Sequence, residues 1–494
     1  MKKLFALLVS VTLLSGCGFA LNSSGPQQEP DSTTADSQMV WDLTDSPQPA
    51  QFCKIPDARP EPFRGQARGH TVDGLSYGGP SGFPLVELTV PTTGQLDWLF
   101  ILVAFEDTPR FVETPAEFME PHVGVLEDWA EFWSQGKLQF NIQFVNYWLE
   151  LPMKAKDFPK DRELYIAKLL EDQLPDGMLF ADFDATFIQW DNLFEAPGAA
   201  AAATSGDTRY TLRIGSNELF YEDEALRPNL VWAPSYNHAS NRGHPIEHKQ
   251  RFAYGHWLHE ILHEMGLNLH APGNGWPTGV GQVLYPYNPD GSKWSQAISA
   301  WEQFLVTWLD DSQVHCVDRS VESETRTVLT PLESYGGDRK LIAIPSINDE
   351  DELLAIEARL PGERSYWSQS DFGLLVYRVD PTAKHRDHIP NECGNDPDVE
   401  KWAYYLFPDN AEVERNHCGH FSEALVRPGE TLAYEGIVVR LESVVDGKFY
   451  VNVNFGDVPT EETAKSVQDD LGAIRERLEP SCSCCGCFPG TTLH

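Results

Sequence analysis

Apolar residues are spaced differently in the two parts of the chain. In the first part, positions 96–105 form a continuous apolar run typical of a buried strand, and positions 116–135 repeat apolar side chains at helical spacing. After residue 316, short segments alternate apolar and polar positions between frequent turns, as strands of a sandwich do. The pattern therefore predicts an α/β (α+β) domain followed by an all-β sandwich domain.

The same spacing predicts the remaining elements of both domains. In the first domain we expect strands at 138–149, 185–190 and 230–233, helices at 162–174, 252–266 and 299–309, and a surface loop at 199–203. In the second we expect strands at 326–329, 340–345, 353–359, 373–379, 436–444 and 448–455, followed by a helix at 461–478.

The amino terminus carries an export signal. Lys2 and Lys3 precede an apolar run at 4–14, which is too short to span a bilayer as a helix. The sequence Leu-Ser-Gly-Cys that ends at Cys17 resembles the lipobox of bacterial lipoproteins. That resemblance implies cleavage before Cys17, acylation of this cysteine, and anchoring through lipid alone. Gly18 stands where an aspartate would favour retention in the inner membrane, so we expect the outer membrane or the cell surface.

Composition gives the expected boundaries between segments. Positions after Cys17 are rich in serine, threonine, proline and glutamine, which predicts a disordered tether. The expected segments are a signal peptide at 1–16, the tether at 17–52, the first domain at 53–315, the sandwich at 316–456, a helix at 457–480 and a Cys-rich tail at 481–494.

The charge of the chain restricts its partners. Lysine and arginine number 37 against 74 acidic residues, a net charge of −37. So acidic a surface repels phosphate backbones, which argues against nucleic-acid binding. It also argues against electrostatic attraction to anionic lipid, so membrane contact is expected only through the N-terminal lipid.

Apart from Cys17, eight cysteines remain, an even number in an exported chain. Cys53, Cys316, Cys393 and Cys418 are read as two disulfides. The expected pairs are Cys393 with Cys418 and Cys53 with Cys316, although three pairings of these four are possible. The other four crowd the tail without a clean zinc-site spacing, and we expect them to be disulfide-bonded or close to the lipid: Cys482, Cys484, Cys485 and Cys487.

The chemistry of the chain is indicated by one motif, His259-Glu260-Ile261-Leu262-His263. Two histidines four residues apart stand on one face of a helix and can both bind one Zn²⁺. Glu260 lies about 100° around the helix. There its carboxylate can act as a general base on a water that zinc activates.

A catalytic zinc needs a third protein ligand. Gly266 can end the helix with a positive φ and let the chain turn back, and His270 follows as the expected third ligand. The whole string resembles the HExxHxxGxxH motif of metzincins, except that His270 comes one position late and Leu269 occupies the usual place. This departure resembles the immune-inhibitor-A-type secreted metallopeptidases, whose third ligand is acidic.

The resemblance covers about residues 90–455. It implies a metzincin-like catalytic domain with a mixed sheet and an HExxH helix, a single catalytic Zn²⁺, and protein or peptide substrates. One departure is that no methionine follows Met265, so the Met-turn of metzincins is replaced, with Val283 or Leu284 expected in its place. The matching segments are 97–107, 125–138, 299–302, 308–309, 313–314, 354–359 and 373–380.

The sequence also offers a candidate oxyanion donor, a possible second metal and two alternative functions. Tyr285 or Tyr287 could donate a hydrogen bond to the oxyanion, and Ca²⁺ would suit so acidic a chain, although no EF-hand-type spacing is present. One alternative is a thermolysin-like metallopeptidase in which Glu302 is the third zinc ligand. The other is a catalytically inactive surface-binding lipoprotein that keeps the peptidase fold. The intact Glu260 favours an active zinc endopeptidase over the inactive protein.

Overall fold

The structure is a computed structural model of the chain. It describes residues 43–57, 90–108, 110–157, 168–190, 298–346, 351–360, 372–381, 403–408 and 421–456, with shorter segments within 70–85, 203–233 and 257–267 and at 384–385. The signal peptide, the helix expected at 461–478, the Cys-rich tail and the expected Cys393–Cys418 disulfide lie outside these residues. Within them, no helix combines the length and hydrophobicity needed to cross a membrane.

The first part of the chain builds a mixed sheet with one long central strand. Its elements are β1 (His70–Val72), β2 (Leu75–Tyr77), β3 (Gly94–Phe105), α1 (Pro115–Trp133), β4 (Leu138–Phe144), β5 (Leu149–Leu151), β6 (Ala185–Trp190), β7 (Ala203–Thr204), β8 (Arg213–Ile214), β9 (Asn217–Glu218) and β10 (Leu230–Ala233). Five strands run in the order β4-β3-β6-β10-β7, and β5 also pairs with β3. Every pair is parallel except β10 with β7, and we call this layer the mixed sheet.

Both faces of the mixed sheet are covered, which explains why β3 is a continuous apolar run. Alternate side chains of β3, such as Trp98 and Phe100, join the buried face of α1 in a large apolar cluster, which we call the main core. The intervening side chains, such as Leu99 and Ile101, pack on the opposite face against Leu170 and its neighbours.

The end of α1 is fixed by a left-handed turn. Gln135 and Gly136 have φ of 57° and 78°, and the Gly136 amide donates back into the last turn of the helix. The next residue, Lys137, donates from Nζ to the carbonyl of Thr307 (2.9 Å) and to Oδ1 of Asp310 (2.8 Å). The turn therefore connects α1 to the chain segment that follows residue 305.

The second part of the chain builds two sheets. Its elements are α2 (Ala300–Leu305), β11 (Val314–Cys316), β12 (Glu324–Leu329), β13 (Leu341–Pro345), β14 (Leu353–Arg359), β15 (Gly373–Val379), β16 (Lys384–His385), β17 (Ala403–Tyr405), α3 (Phe421–Ala424), β18 (Leu425–Val426), β19 (Thr431–Tyr434), β20 (Ile437–Val445) and β21 (Lys448–Phe455). The inner sheet has the order β11-β13-β14-β15-β17, with β18 beside β15. The outer sheet has the order β12-β21-β20-β19, and β16 pairs with β2 in a separate small sheet.

The inner sheet is buried on both faces. Leu354 and Ile356 of β14 point to the outer sheet and share an apolar core with Val439 and Val451, so the two sheets form a sandwich. The alternate side chains, including Ala355, belong to the main core. The sandwich and the mixed sheet are therefore built on one continuous core.

The segment 43–57, which we call the strap, covers the edges of both sandwich sheets. The Thr44 amide donates to the carbonyl of Arg326 in β12 (2.9 Å), and the Gln48 amide donates to the carbonyl of Cys316 in β11 (3.3 Å). Because unpaired strand edges invite association with other chains, this cover protects the sandwich.

A disulfide between Cys53 and Cys316 fastens the strap, which is the long-range pair expected from the sequence. The two residues are 263 positions apart, and closing so long a loop stabilises the fold by on the order of 5 kcal/mol in the chain-entropy model. Further along, the Phe83 amide donates to the carbonyl of Ile55 and the Asp57 amide donates to the carbonyl of Phe83. The Phe83 ring packs on α2.

Several predicted strands are confirmed with the same bounds, namely 185–190, 230–233, 353–359, 373–379 and 448–455. Others differ. The strand expected at 138–149 is divided into β4 and β5, because the chain leaves the edge of β3 and returns further along it. The helix expected at 299–309 ends at Leu305, since Thr307 has a positive φ of 63°.

The loop expected at 199–203 ends in β7, whose Ala203 pairs with β10. The last ten residues of the expected tether are also ordered, because the strap finds hydrogen-bond partners on both sandwich sheets. Composition alone does not reveal such distant partners.

The buried, neutral side chain of His315 leads us to predict that acid destabilises the sandwich. Its side chain is fully buried, with Nε2 2.7 Å from Oγ1 of Thr325. Burial, together with the charge of Arg339, lowers its pKa from 6.5 to about 3. The unfolded chain therefore takes up the proton first, so stability present above pH 6.5 is lost as the pH falls towards 3.

We expect this residue to account for about 2–3 kcal/mol of the free energy of unfolding lost between pH 7 and pH 4.5. His315→Gln keeps a polar side chain but removes the titration, so its denaturant-measured stability should fall less over this range. An identical pH dependence in the two proteins would contradict the assignment.

Candidate functional site

The residues that carry the expected chemistry lie outside the described part of the chain. The candidate metal ligands are His259, His263 and His270, and the candidate base is Glu260. The candidate oxyanion donors are Tyr285 and Tyr287, and the candidate for lipidation is Cys17. Among the residues that the structure does describe, no group of three or more histidine, cysteine or acidic side chains is placed to hold a metal ion. The structure does describe residues around and within the motif, at 257–258, 261–262 and 265–267.

These residues are buried. Trp257, Leu258, Ile261 and Leu262 are helical, and each is completely inaccessible to solvent, as is Met265 in the turn that follows. All five belong to the main core. The spacing of 1, 3, 1 and 3 residues is that of one apolar stripe on an α-helix.

The helix ends where Gly266 was expected to end it. Gly266 has φ of 102°, a value that residues with a Cβ atom rarely adopt. The Leu267 amide then donates to the carbonyl of Leu262 (3.0 Å), five residues earlier. This is the bond of a Schellman motif, and the buried pair Leu267 and Leu262 supplies its usual apolar contact.

Trp257 packs against the mixed sheet and α1. Its ring centroid lies 4.6 Å from that of Phe100 in β3 and 6.4 Å from that of Phe187 in β6. It also meets Phe118 of α1 edge to face at 5.6 Å. Aromatic contacts in this range stabilise beyond their buried area, so the sheet and α1 together fix the helix.

Sequence reasoning missed His122, which lies at the same junction. Its ring stands edge to face with Phe118 (5.1 Å) and Trp257 (5.8 Å). Burial lowers the pKa of His122 from 6.5 to about 4, so the imidazole is neutral at physiological pH. Its position four residues after Phe118, on the apolar stripe of a predicted helix, was the available signal.

Glu302, the alternative zinc ligand, is engaged in capping α2. Its Oε2 accepts hydrogen bonds from the amide and the hydroxyl of Ser299, both at 2.9 Å, and Ser299 Oγ accepts from the Glu302 amide in return. This is a capping box, in which each side chain satisfies the other residue's backbone. The side chain of Glu302 is almost fully buried.

A buried polar cluster lies where the amino end of α2 meets the inner sheet. The amide of Ala300 donates to Oε2 of Glu357 (2.7 Å), and the amide of Trp301 donates to the hydroxyl of Tyr377 (3.2 Å). That hydroxyl donates in turn to Oε2 of Glu357 (2.9 Å). Glu357, Tyr377 and Trp301 are completely buried.

Arg359 supplies a positive charge beside the Glu357 carboxylate of this cluster. Its guanidinium forms ion pairs with Glu357 and with Glu333, the latter at 3.2 Å, and its side chain is fully buried. Burial opposes the positive charge, but the two carboxylates outweigh it and raise the pKa of Arg359. Burial and Glu357 also raise the pKa of Tyr377 well above 10, so its hydroxyl keeps the proton it donates.

Neither a scan against protein-family models nor a search of curated proteins finds a match to this chain.

Proposed function

We propose that this chain is a zinc-dependent endopeptidase that hydrolyses peptide bonds of proteins outside the cell. The observation that carries the proposal is that Trp257 and Leu258, together with Ile261 and Leu262 of the HExxH sequence, are helical and fully buried. A helix held so firmly by apolar contacts can present two ligands with little freedom, as a metal site requires.

The helical phase supports this assignment. The stripe from Trp257 to Met265 centres on one side of the helix. If the same phase continues through the motif, a rotation of about 100° per residue directs positions 259 and 263 to the opposite side. Both imidazoles would then face away from the core, about 40° apart, with Glu260 beside them.

The donor set fits zinc. Imidazole nitrogens are common zinc ligands, and a catalytic site uses three protein ligands with an open fourth position. His259, His263 and His270 would hold the ion, which when bound lowers the pKa of water to about 7. Glu260 accepts the proton of the attacking water and passes it to the departing amine nitrogen. Tyr285 is the candidate to donate to the oxyanion.

Glu302 suits the alternative thermolysin-like ligand set less well. Its carboxylate caps α2 in reciprocal hydrogen bonds with Ser299, inside the main core. Releasing it to bind metal would leave the Ser299 amide without its partner in a buried site, which costs about 1–3 kcal/mol. The inactive surface-binding alternative has no described feature in its favour.

We further propose that the protein is a bacterial lipoprotein of the outer membrane or cell surface, attached through Cys17. The support is the sequence of the first 18 residues. Residues 18–42 stand between Cys17 and the strap, and their composition favours a tether.

Replacing the general base tests the mechanism. Glu260→Gln removes the proton acceptor but no zinc ligand, so proteolysis of a casein-type substrate should fall by about 10²–10⁴-fold. Zinc content should remain one per chain, and chelation should abolish the wild-type activity. Glu264→Gln, the same change one turn later, is the control and should remain active. Full activity of the Glu260→Gln protein would refute the assigned mechanism.

Replacing the lipidated cysteine tests the anchor. Cys17→Ser should move the protein from the membrane fraction to the soluble fraction, because it removes the site of every proposed acyl chain. The matched control is the pair Cys53→Ser with Cys316→Ser, which removes the disulfide and should stay with the membranes. Sedimentation and immunoblotting measure both. A Cys17→Ser protein that still sediments with the outer membrane would contradict the lipoprotein proposal.

A further inference from the structure

The helix α2 is held from two sides. Its amino end binds the polar cluster of the inner sheet, through Glu357 and Tyr377. Its apolar side chains, among them Trp301 and Phe304, belong to the main core together with Trp257 and its helical neighbours. The helix α2 therefore joins the inner sheet to the main core, which also contains Trp257 and Leu258.

The position of α2 is tightly restricted because the polar cluster at its amino end is fully buried. A buried polar group that loses its partner costs about 1–3 kcal/mol, and an unpaired charge costs more. Glu357 is satisfied only when the Ala300 amide, the Tyr377 hydroxyl and the Arg359 guanidinium are all in place. A small displacement of α2 would break several of these bonds together.

The surface that the inner sheet offers to α2 is unavailable to a substrate. The alternate side chains of β14 and β15 on this face, including Ala355, Leu375 and Tyr377, are fully buried in the main core. The opposite face of the same sheet is covered by the outer sheet. Both faces of the inner sheet thus serve internal packing.

From this arrangement we propose that the sandwich acts as an internal clamp: Glu357 and Tyr377 are positioning residues that fix the amino end of α2 and, through the main core, the HExxH helix. The inference deepens the proposed peptidase function and rests on it where catalysis is concerned. The sandwich then contributes to turnover by holding the ligand-bearing helix, and it does not recognise substrate with the inner sheet.

Tyr377→Phe is the most conservative test, since it removes one hydroxyl and keeps the ring. Tyr434→Phe is the matched control. The Tyr434 hydroxyl also forms a hydrogen bond, which it accepts from Arg378, but Tyr434 belongs to the outer sheet. Glu357→Gln is a second test variant of nearly the same shape. Circular dichroism verifies that each full-length protein is folded at the temperature of measurement.

Hydrogen exchange by mass spectrometry measures the clamp independently of activity. With Tyr377→Phe, amides at 300–301 should exchange about five- to tenfold faster, as expected for the loss of one hydrogen bond. Peptides that contain Trp257 and Leu258 should also exchange faster. Peptidase assays should show a lower kcat with an unchanged KM, and Tyr434→Phe should change neither exchange at these sites nor kcat.

Two results would overturn the clamp. Faster exchange confined to α2, with no change around Trp257 and an unchanged kcat, would show that α2 is docked without supporting the HExxH helix. A raised KM with an unchanged kcat would show instead that the sandwich contacts substrate. If the wild-type chain binds no zinc and cleaves no peptide, the proposed function fails, and the exchange comparison still decides whether the clamp exists.

Discussion

Burial of the inner sheet on both faces is the constraint on which the rest of the molecule depends. One face closes the sandwich through residues such as Ile356, and the other extends the main core through residues such as Ala355. Because the same strands serve both cores, the sandwich cannot move relative to the mixed sheet without exposing apolar surface, at about 25 cal/mol for each Å². The disulfide between Cys53 and Cys316 also links the strap to the inner sheet.

Polar groups inside this core fix the position of α2 more narrowly than apolar packing does. Apolar contacts tolerate small shifts, whereas the hydrogen bonds of Glu357 and Tyr377 with α2 have fixed lengths and angles. A buried, ion-paired cluster is weak evidence for added stability, but it can select one arrangement among several. The capping box of Glu302 and Ser299 acts in the same way at the same helix end.

Local patterns predicted those elements whose cause is local. The strands at 353–359 and 373–379 could be predicted because they are rich in apolar residues. The helix end at Gly266 could be predicted because glycine readily adopts the positive φ found there. The HExxH motif is likewise a local spacing. What the sequence could not reveal depends on distant partners, namely the hydrogen bonds of the strap and the pairing of Glu357 with an amide 57 residues away. A glutamate within the apolar strand LLAIEAR was the visible sign of that pairing.

We propose that a zinc ion is held by His259, His263 and His270, while Glu302 caps α2. The most direct measurement is the zinc content of folded His270→Ala and Glu302→Gln proteins beside the wild type, with circular dichroism on each. Loss of a ligand should lower zinc affinity greatly. We predict stoichiometric zinc in the wild type and in Glu302→Gln, and its loss in His270→Ala. Stoichiometric zinc in His270→Ala with loss in Glu302→Gln would contradict the account.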